Sequence, residues 1–270
     1  MAFFVMQRFL VFGALLSTGL CSLISDKFSG RIVGGVDTTI EQHPYQISLW
    51  LVEEQVHFCG GSLISENFVL SATHCLLGFE PFDLRVRLGS TNSTNGGLLV
   101  EVAAIKTHSG FSVITAMNDI GLLKLAKPVA QTNSIRYIEL ADAVPATGTP
   151  AVVSGWGIKC SLCFRTPVIL QAVDVNIVQR EDCASSTYKY GDQIRESMVC
   201  AYALKKDACS GDSGGPLVAE GKLVGVVSWS EGCAKKDYPG VYASVPELRQ
   251  WISSAITELS SEEALRVSYL

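Results

Sequence analysis

No histidine follows residue 108 in this chain of 270 residues, and that absence removes a whole class of hydrolase. The stretch Gly211-Asp212-Ser213-Gly214-Gly215 fits the G-x-S-x-G turn of the α/β-hydrolases, whose base histidine must come after the serine. His43, His57, His74 and His108 all precede Ser213. A membrane span is missing too: the apolar run 9–16 is cut off by Arg8, where about 20 uninterrupted residues are needed. No other stretch approaches that length. Basic clusters are absent, which argues against nucleic acid or an anionic membrane as the main partner. There is no internal repeat and no low-complexity linker. The C-x-x-C pair Cys160 and Cys163 has no second free pair to complete a four-ligand zinc site. It also lacks the βαβ setting of a thioredoxin-like redox motif.

The ends carry processing signals. Residues 1–20 hold a single charge, Arg8, then the apolar run, then the small residues Ser17, Thr18 and Gly19, which is the layout of a secretory signal. Cleavage near Cys21 makes 1–21 a signal peptide and the protein secreted and extracellular. Removal of residues 1–31 takes away Arg8, Lys27, Arg31 and Asp26, moving the formal charge from −5 to −7. Of nine cysteines, eight remain after Cys21, an even number in an exported chain, so disulfides are expected. Eight cysteines allow 105 pairings, and the spacing alone does not choose among them.

With 48% hydrophobic residues the chain can bury a large core, as one extended β domain or two small ones. Short apolar or alternating runs at 46–52, 84–88, 98–105, 120–125, 173–178 and 222–229 read as strands, and Glu220-Gly221 reads as a hairpin tip. One helix closes the chain, with Pro246 in its first turn and Leu248, Trp251, Ile252 and Ile256 on one face. Beyond 257, Ser260 and Glu263 have the spacing of a capping box, but so short a helix is marginal in water. Residues 258–270 are therefore expected to form a frayed, solvated tail.

Ser213 sits among glycines, where backbone amides can converge on the oxyanion formed when a serine attacks a carbonyl. Four stretches then coincide: Arg31-Ile32-Val33-Gly34-Gly35, Ser71-Ala72-Thr73-His74-Cys75, Asp119-Ile120-Gly121-Leu122-Leu123, and Gly211 through Pro216. In order and spacing they resemble the signature stretches of the trypsin-like serine proteases, over residues 32 to about 257. The disulfide pattern and the residues around Cys183 are closest to insect digestive trypsins. The resemblance implies an all-β fold of two six-stranded antiparallel barrels with a C-terminal helix. It implies a 22–31 activation propeptide, a 32–257 protease domain and a zymogen cut after Arg31. The freed amine of Ile32 would pair with Asp212, whose buried charge otherwise lacks a partner. Cys59–Cys75, Cys183–Cys200 and Cys209–Cys233 are the implied disulfides, with Cys160–Cys163 a local staple. Two disulfides of relatives are missing at both ends, at Ala151 with Ala219 and at Thr38 with Ala172.

Site roles follow from the same resemblance: Ser213 as nucleophile, His74 as base, Asp119 as orienting carboxylate, and the amides of Gly211 and Ser213 as oxyanion donors. Asp207 is the implied pocket floor, pairing with substrate Arg or Lys. Ala208, Ser228, Trp229, Ser230 and Gly240 complete the substrate-binding set. Ala208 replaces a serine that helps hold lysine, so Arg is expected to be favoured over Lys. Ser230 stands where most trypsins have glycine and is expected to narrow the entrance. Thr73 and Gly121 replace the usual alanines and are expected to be tolerated. His43, His57 and His108 read as surface or core-edge imidazoles. No metal is expected, because Ser90 stands where calcium-binding relatives carry a glutamate. Asn92-Ser93-Thr94 is a glycosylation sequon. The implied partners are protein or peptide substrates, an activating trypsin-like protease and protein inhibitors. The enzyme is expected to be a monomer with no cofactor. A binding homologue without activity is the rival from another class, supported only by Ser230. Chymotrypsin-like specificity is a second rival, opposed by Asp207.

Overall fold

The computed structural model describes residues 33–158 and 166–268, with side chains through 261. A two-residue strand β1 (Val36–Asp37) leads into β2 (Gln46–Leu51), β3 (Val56–Leu63), β4 (Phe68–Ser71), β5 (Leu84–Leu88), β6 (Leu98–Thr107) and β7 (Gly121–Leu125). The six strands β2 to β7 close into an antiparallel barrel in the order β2-β3-β4-β7-β6-β5. Then follow β8 (Pro150–Gly155), β9 (Gln171–Val178), a single turn α1 (Arg180–Cys183), β10 (Met198–Tyr202), β11 (Pro216–Ala219), β12 (Lys222–Trp229) and β13 (Gly240–Ser244). These pair as β9-β10-β13-β12-β11-β8, and β8 pairs again with β9 to close a second six-stranded ring. The strand β1 is added outside it on β9.

Each barrel buries its inward-facing side chains, as strand periodicity requires. In β5 the alternation is clean: Leu84, Val86 and Leu88 are buried while Arg85 and Arg87 are partly exposed. The barrels meet along glycines. A Cβ on Gly60 of β3 would come 3.0 Å from the Gly215 Cα. Across that contact the Gly60 amide donates to the Ser213 carbonyl at 2.7 Å. Gly214, at φ +79°, has no room for a side chain between Ser71 Oγ and the Gly60 carbonyl. The Ser213 turn of one barrel is thus seated directly on β3 of the other.

The disulfides Cys59–Cys75, Cys183–Cys200 and Cys209–Cys233 are formed. Ala151 and Ala219 are direct partners in the β8–β11 ladder, so their joint lack of cysteine falls on one pair of neighbours. Cys160 and Cys163 lie outside the described residues, as do the signal segment, Arg31 and Ile32.

The C-terminus differs from expectation. Helix α2 (Val245–Ser268) is continuous and runs through the segment read as a frayed tail. Leu248, Ile252, Ala255 and Leu259 form its buried stripe, so the apolar face extends one turn further than Ile256. That extra turn is tied down: Lys124 Nζ of β7 donates to the Leu259 carbonyl at 2.8 Å, and Lys106 of β6 pairs with Glu258. Ser260 caps nothing; its hydroxyl bonds back to the Ile256 carbonyl inside the helix.

Candidate active site

His74 lies in a 3₁₀ turn (Thr73–Cys75) where the chain leaves β4. The neighbouring Cys75 is bonded to Cys59 on β3, which fixes the turn's backbone. Asp119 comes just before β7, which pairs with β4 through Ser71 and Gly121. The sheet therefore delivers the two side chains to each other. His74 Nδ1 is 2.7 Å from Asp119 Oδ2, and the His74 amide donates to Oδ1 at 2.9 Å. Ser228 at the end of β12 donates to the same Oδ2 at 2.6 Å. Asp119 is buried and accepts three hydrogen bonds, which hold the imidazole by its Nδ1 side and leave Nε2 as the ring nitrogen not bound to the carboxylate.

Ser213 occupies a turn between the Cys209–Cys233 bridge and β11. The amides of Asp212, Gly214 and Gly215 each donate to a protein carbonyl, at 2.8 to 2.9 Å. Among the described residues, the amides of Gly211 and Ser213 donate to none. Gly211 takes φ +96°, a conformation that favours glycine. Backbone donors left without a protein acceptor near a hydroxyl are the kind of group that can hold an oxyanion. The Ser213 Oγ has no hydrogen-bond partner among the described residues, and His74 Nε2 lies 3.7 Å from the Cys75 sulfur.

His57 is not a surface imidazole. It is packed edge-on against Trp156, accepts from Ser48 Oγ at 2.7 Å on Nδ1, and donates from Nε2 to the Gly211 carbonyl at 3.1 Å. Burial holds its pKa down to about 4, so it stays neutral with the proton on Nε2. His57 thereby holds the peptide next to the free Gly211 amide.

A cavity of about 250 Å³ opens beside Ser213. Asp207, Ala208, Ser228, Trp229, Ser230 and Gly240 all line it, so the residues grouped by sequence are grouped in space. Asp207 is buried, with Oδ2 accepting from the Ala234 amide at 3.0 Å. Burial pushes its carboxyl up to about 7, against the pull of the Ala234 and Ala208 amides, and the negative Asp212 adds to the rise. Gly240 is required by closeness, since a Cβ there would sit 2.6 Å from Asp207 Oδ1. Tyr242 also lines the cavity with a buried hydroxyl that has no hydrogen-bond partner among the described residues, and nothing in the sequence points to it. Ser230 lines the cavity, but its hydroxyl is turned back onto the Gly232 carbonyl at 2.5 Å.

Asp212 is fully buried. Its oxygens accept from the Gly157 amide at 2.7 Å and the Cys209 amide at 2.9 Å, which offset part of the burial that pushes it up to about 6. The segment after Ile32 reaches this region, because the Asp207 amide donates to the Val33 carbonyl at 3.1 Å.

The loop following Gly89 does not fit a calcium ion. Ser90 Oγ lies 2.9 and 2.7 Å from the Asn92 and Asn95 carbonyls, and the Arg87 guanidinium donates to those of Gly96 and Thr94. The loop's carbonyls face protein donors, one of them already a cation. Cys59, His74 and Cys75 also cluster, but both sulfurs are spent in a disulfide and supply no thiolate.

A family model described as Trypsin matches residues 32–252. A trypsin of Sarcophaga bullata is 54% identical over 255 residues, covering 94% of this chain and all of that protein. Trypsin theta of Drosophila erecta is 56% identical over 227 residues, 84% of this chain and 86% of its own. Trypsin alpha of Drosophila melanogaster is 47% identical over 252 residues, 91% and 98% of the two chains.

Proposed function

The chain belongs to the trypsin family of serine endopeptidases, and on that footing we propose a secreted zymogen, cut after Arg31, that hydrolyses peptide bonds after Arg and less readily after Lys. The observation that carries the specificity is the buried Asp207 carboxylate in the cavity beside Ser213. A buried carboxylate without a cation is costly, and a guanidinium entering the cavity relieves that cost with paired hydrogen bonds. Ala208 offers no hydroxyl to a shorter-reaching ammonium, which favours Arg over Lys.

In the proposed mechanism Ser213 Oγ attacks the carbonyl carbon as His74 Nε2 takes its proton. The C–O bond forms, the carbonyl electron pair moves to oxygen, and the free amides of Gly211 and Ser213 hold that charge. Such donors contribute about 3–4 kcal/mol each in related sites. His74 then returns the proton to the leaving amine, and water repeats the sequence on the acyl-enzyme. Asp119, fixed by the His74 amide and Ser228, holds the imidazole's tautomer and stabilises the imidazolium. Cutting after Arg31 supplies an amine for the buried, elevated carboxyl of Asp212, and since the cut follows an arginine the enzyme can activate further copies of itself. Asn92 is proposed as a glycan site, its Oδ1 being used by the Thr94 and Asn95 amides while Nδ2 makes no hydrogen bond among the described residues.

The test is hydrolysis of matched Arg, Lys and Phe peptide amides by protein cut after Arg31, with Ser213→Ala as blank. Arg above Lys, with Phe at the blank, is expected. Phe turnover would overturn the role given to Asp207. Unaided maturation of Arg31→Gln would overturn the activation route.

A further inference from the structure

Thr73 is completely buried, and its hydroxyl is fully engaged. Oγ1 donates to the Ile120 carbonyl at 2.5 Å and lies 3.3 Å from the His108 amide that donates to it. The same His108 amide also reaches the Ile120 carbonyl at 3.3 Å, so the three groups form one closed cluster. Thr73 immediately precedes His74, and Ile120 immediately follows Asp119. A single hydroxyl therefore joins the peptide units next to the two side chains that must meet.

The position in the sheet explains why a side chain is needed there. The β4–β7 ladder ends at Ser71 paired with Gly121. Beyond Ser71 the chain turns into the 3₁₀ turn that carries His74, and backbone pairing with the β7 side stops. The Ile120 carbonyl, in a residue with no exposed surface, is left one step past the ladder's end. The His108 amide reaches this carbonyl only at 3.3 Å, and Thr73 Oγ1 adds the shorter bond at 2.5 Å. That bond ties the His74 turn to the β7 side one residue beyond the ladder, next to the point where His74 Nδ1 meets Asp119 Oδ2 at 2.7 Å. Displacements of about 1 Å among reacting groups can cost on the order of 100-fold in rate, so a tie at this point bears on chemistry as well as on folding.

We propose that Thr73 is a positioning residue of the proteolytic centre, its buried hydroxyl setting the separation of the His74 turn from the Asp119 segment. The inference rests on the roles proposed above for His74 and Asp119. It acts on kcat through that pair, and leaves the Asp207 cavity, which Thr73 does not line, unaltered.

The experiment uses the full chain cut after Arg31 and compares Thr73→Val, which keeps the shape without the hydroxyl, Thr73→Ala, and Thr73→Ser, which keeps the hydroxyl. Steady-state kinetics on an arginine peptide amide are read beside the affinity for a simple amidinium inhibitor, the rate of Ser213 labelling by a neutral fluorophosphonate, and the melting temperature. The expected result is a kcat and labelling rate lowered on the order of tenfold in the Val and Ala variants, restored to within about twofold in Ser. KM and amidinium affinity stay unchanged. A cycle with Asp119→Ala separates positioning from stability: the Thr73→Val loss should disappear once Asp119 is gone, because the pair it sets no longer exists. Undiminished kcat in Thr73→Val, or a loss that persists in full without Asp119, overturns the inference. If Thr73→Val fails to fold, Ser and Ala decide the matter by the same readouts. Wild-type rates in Asp119→Ala itself would instead overturn the catalytic roles on which the inference stands.

Discussion

Lowering the pH should weaken the binding of an arginine-like cation to this protein before any chemistry is considered, and Asp207 is the reason. Its carboxyl is pushed up to about 7 in the empty cavity, chiefly by burial. A guanidinium or amidinium paired with it lowers a carboxylate's pKa by roughly 1–3 units. The cation therefore binds the ionised form and must displace a proton wherever the empty site is protonated. With an empty-site pKa of about 7 and a paired carboxyl lowered by roughly 1–3 units, affinity should fall about 6- to 24-fold between pH 7.5 and 5.5, or about 1.1–1.9 kcal/mol. At pH 7 binding should release about 0.4 to 0.5 of a proton. Calorimetry with an amidinium ligand in two buffers of different ionisation enthalpy measures both quantities. Protein cut after Arg31 and carrying Ser213→Ala avoids self-digestion. Asp207→Asn is the control, with weak binding and no such slope. A flat profile in the unsubstituted cavity, or the same slope in Asp207→Asn, would refute the reasoning.

Two further outcomes follow from hydrogen bonds around the site. Ser228→Ala removes one of the three donors on Asp119. A hydrogen bond to a charged group is worth about 1.5–3 kcal/mol, so kcat for an arginine amide should drop by about tenfold or more, and an unchanged kcat would mean that His74 and its amide hold Asp119 unaided. His57 is held near 4 while an unfolded histidine titrates near 6.5, so the unfolded chain binds the proton first as pH falls. Its contribution is complete above 6.5 and is lost on acidification through 4, at most about 3 kcal/mol. His57→Gln should therefore lose less stability than the parent between pH 7.5 and 4 in urea titrations. Asp207 and Asp212, with raised values, act in the opposite sense and are common to both proteins, so parallel curves would count against this account.

The strands differ in how much of themselves they wrote into the sequence. β5 alternates because one face looks into the barrel and the other outward, and period two is visible in Leu84-Arg85-Val86-Arg87-Leu88. β10 and β13 carry no such signal, since almost every residue in them is buried and a run of apolar or small side chains has no period. β3 hides for another reason. Gly60 and Gly61 weaken it as a strand by propensity, and they are there because the Ser213 turn and Ile47 approach too closely for side chains. Helix α2 outruns its expected end because Leu259 looks isolated along the chain. The residues that hold its last turn, Lys106 and Lys124, come from strands far earlier.

The site follows the same division between what is local and what is not. His74, Asp119, Ser213 and Asp207 can be picked out because each falls in or beside a short stretch that resembles a signature stretch of the trypsin-like proteases, and that resemblance implies their roles. It implies no catalytic role for Ser228, His57 or Thr73. Each makes a hydrogen bond to a group far along the chain, 109, 154 and 47 residues away. A serine at the end of a strand reads as a pocket wall, a histidine before Phe58 as an edge residue, and a threonine in place of alanine as neutral variation. Only closure of both barrels reveals that each of the three bonds to Asp119, or to the chain beside Asp119 or Ser213. A threonine that looks like neutral variation along the sequence nonetheless adds a hydroxyl in a fully buried place. A buried hydroxyl must find partners, and at Thr73 they are the His108 amide and the carbonyl of Ile120, the residue that follows Asp119, whose carboxylate His74 Nδ1 contacts at 2.7 Å.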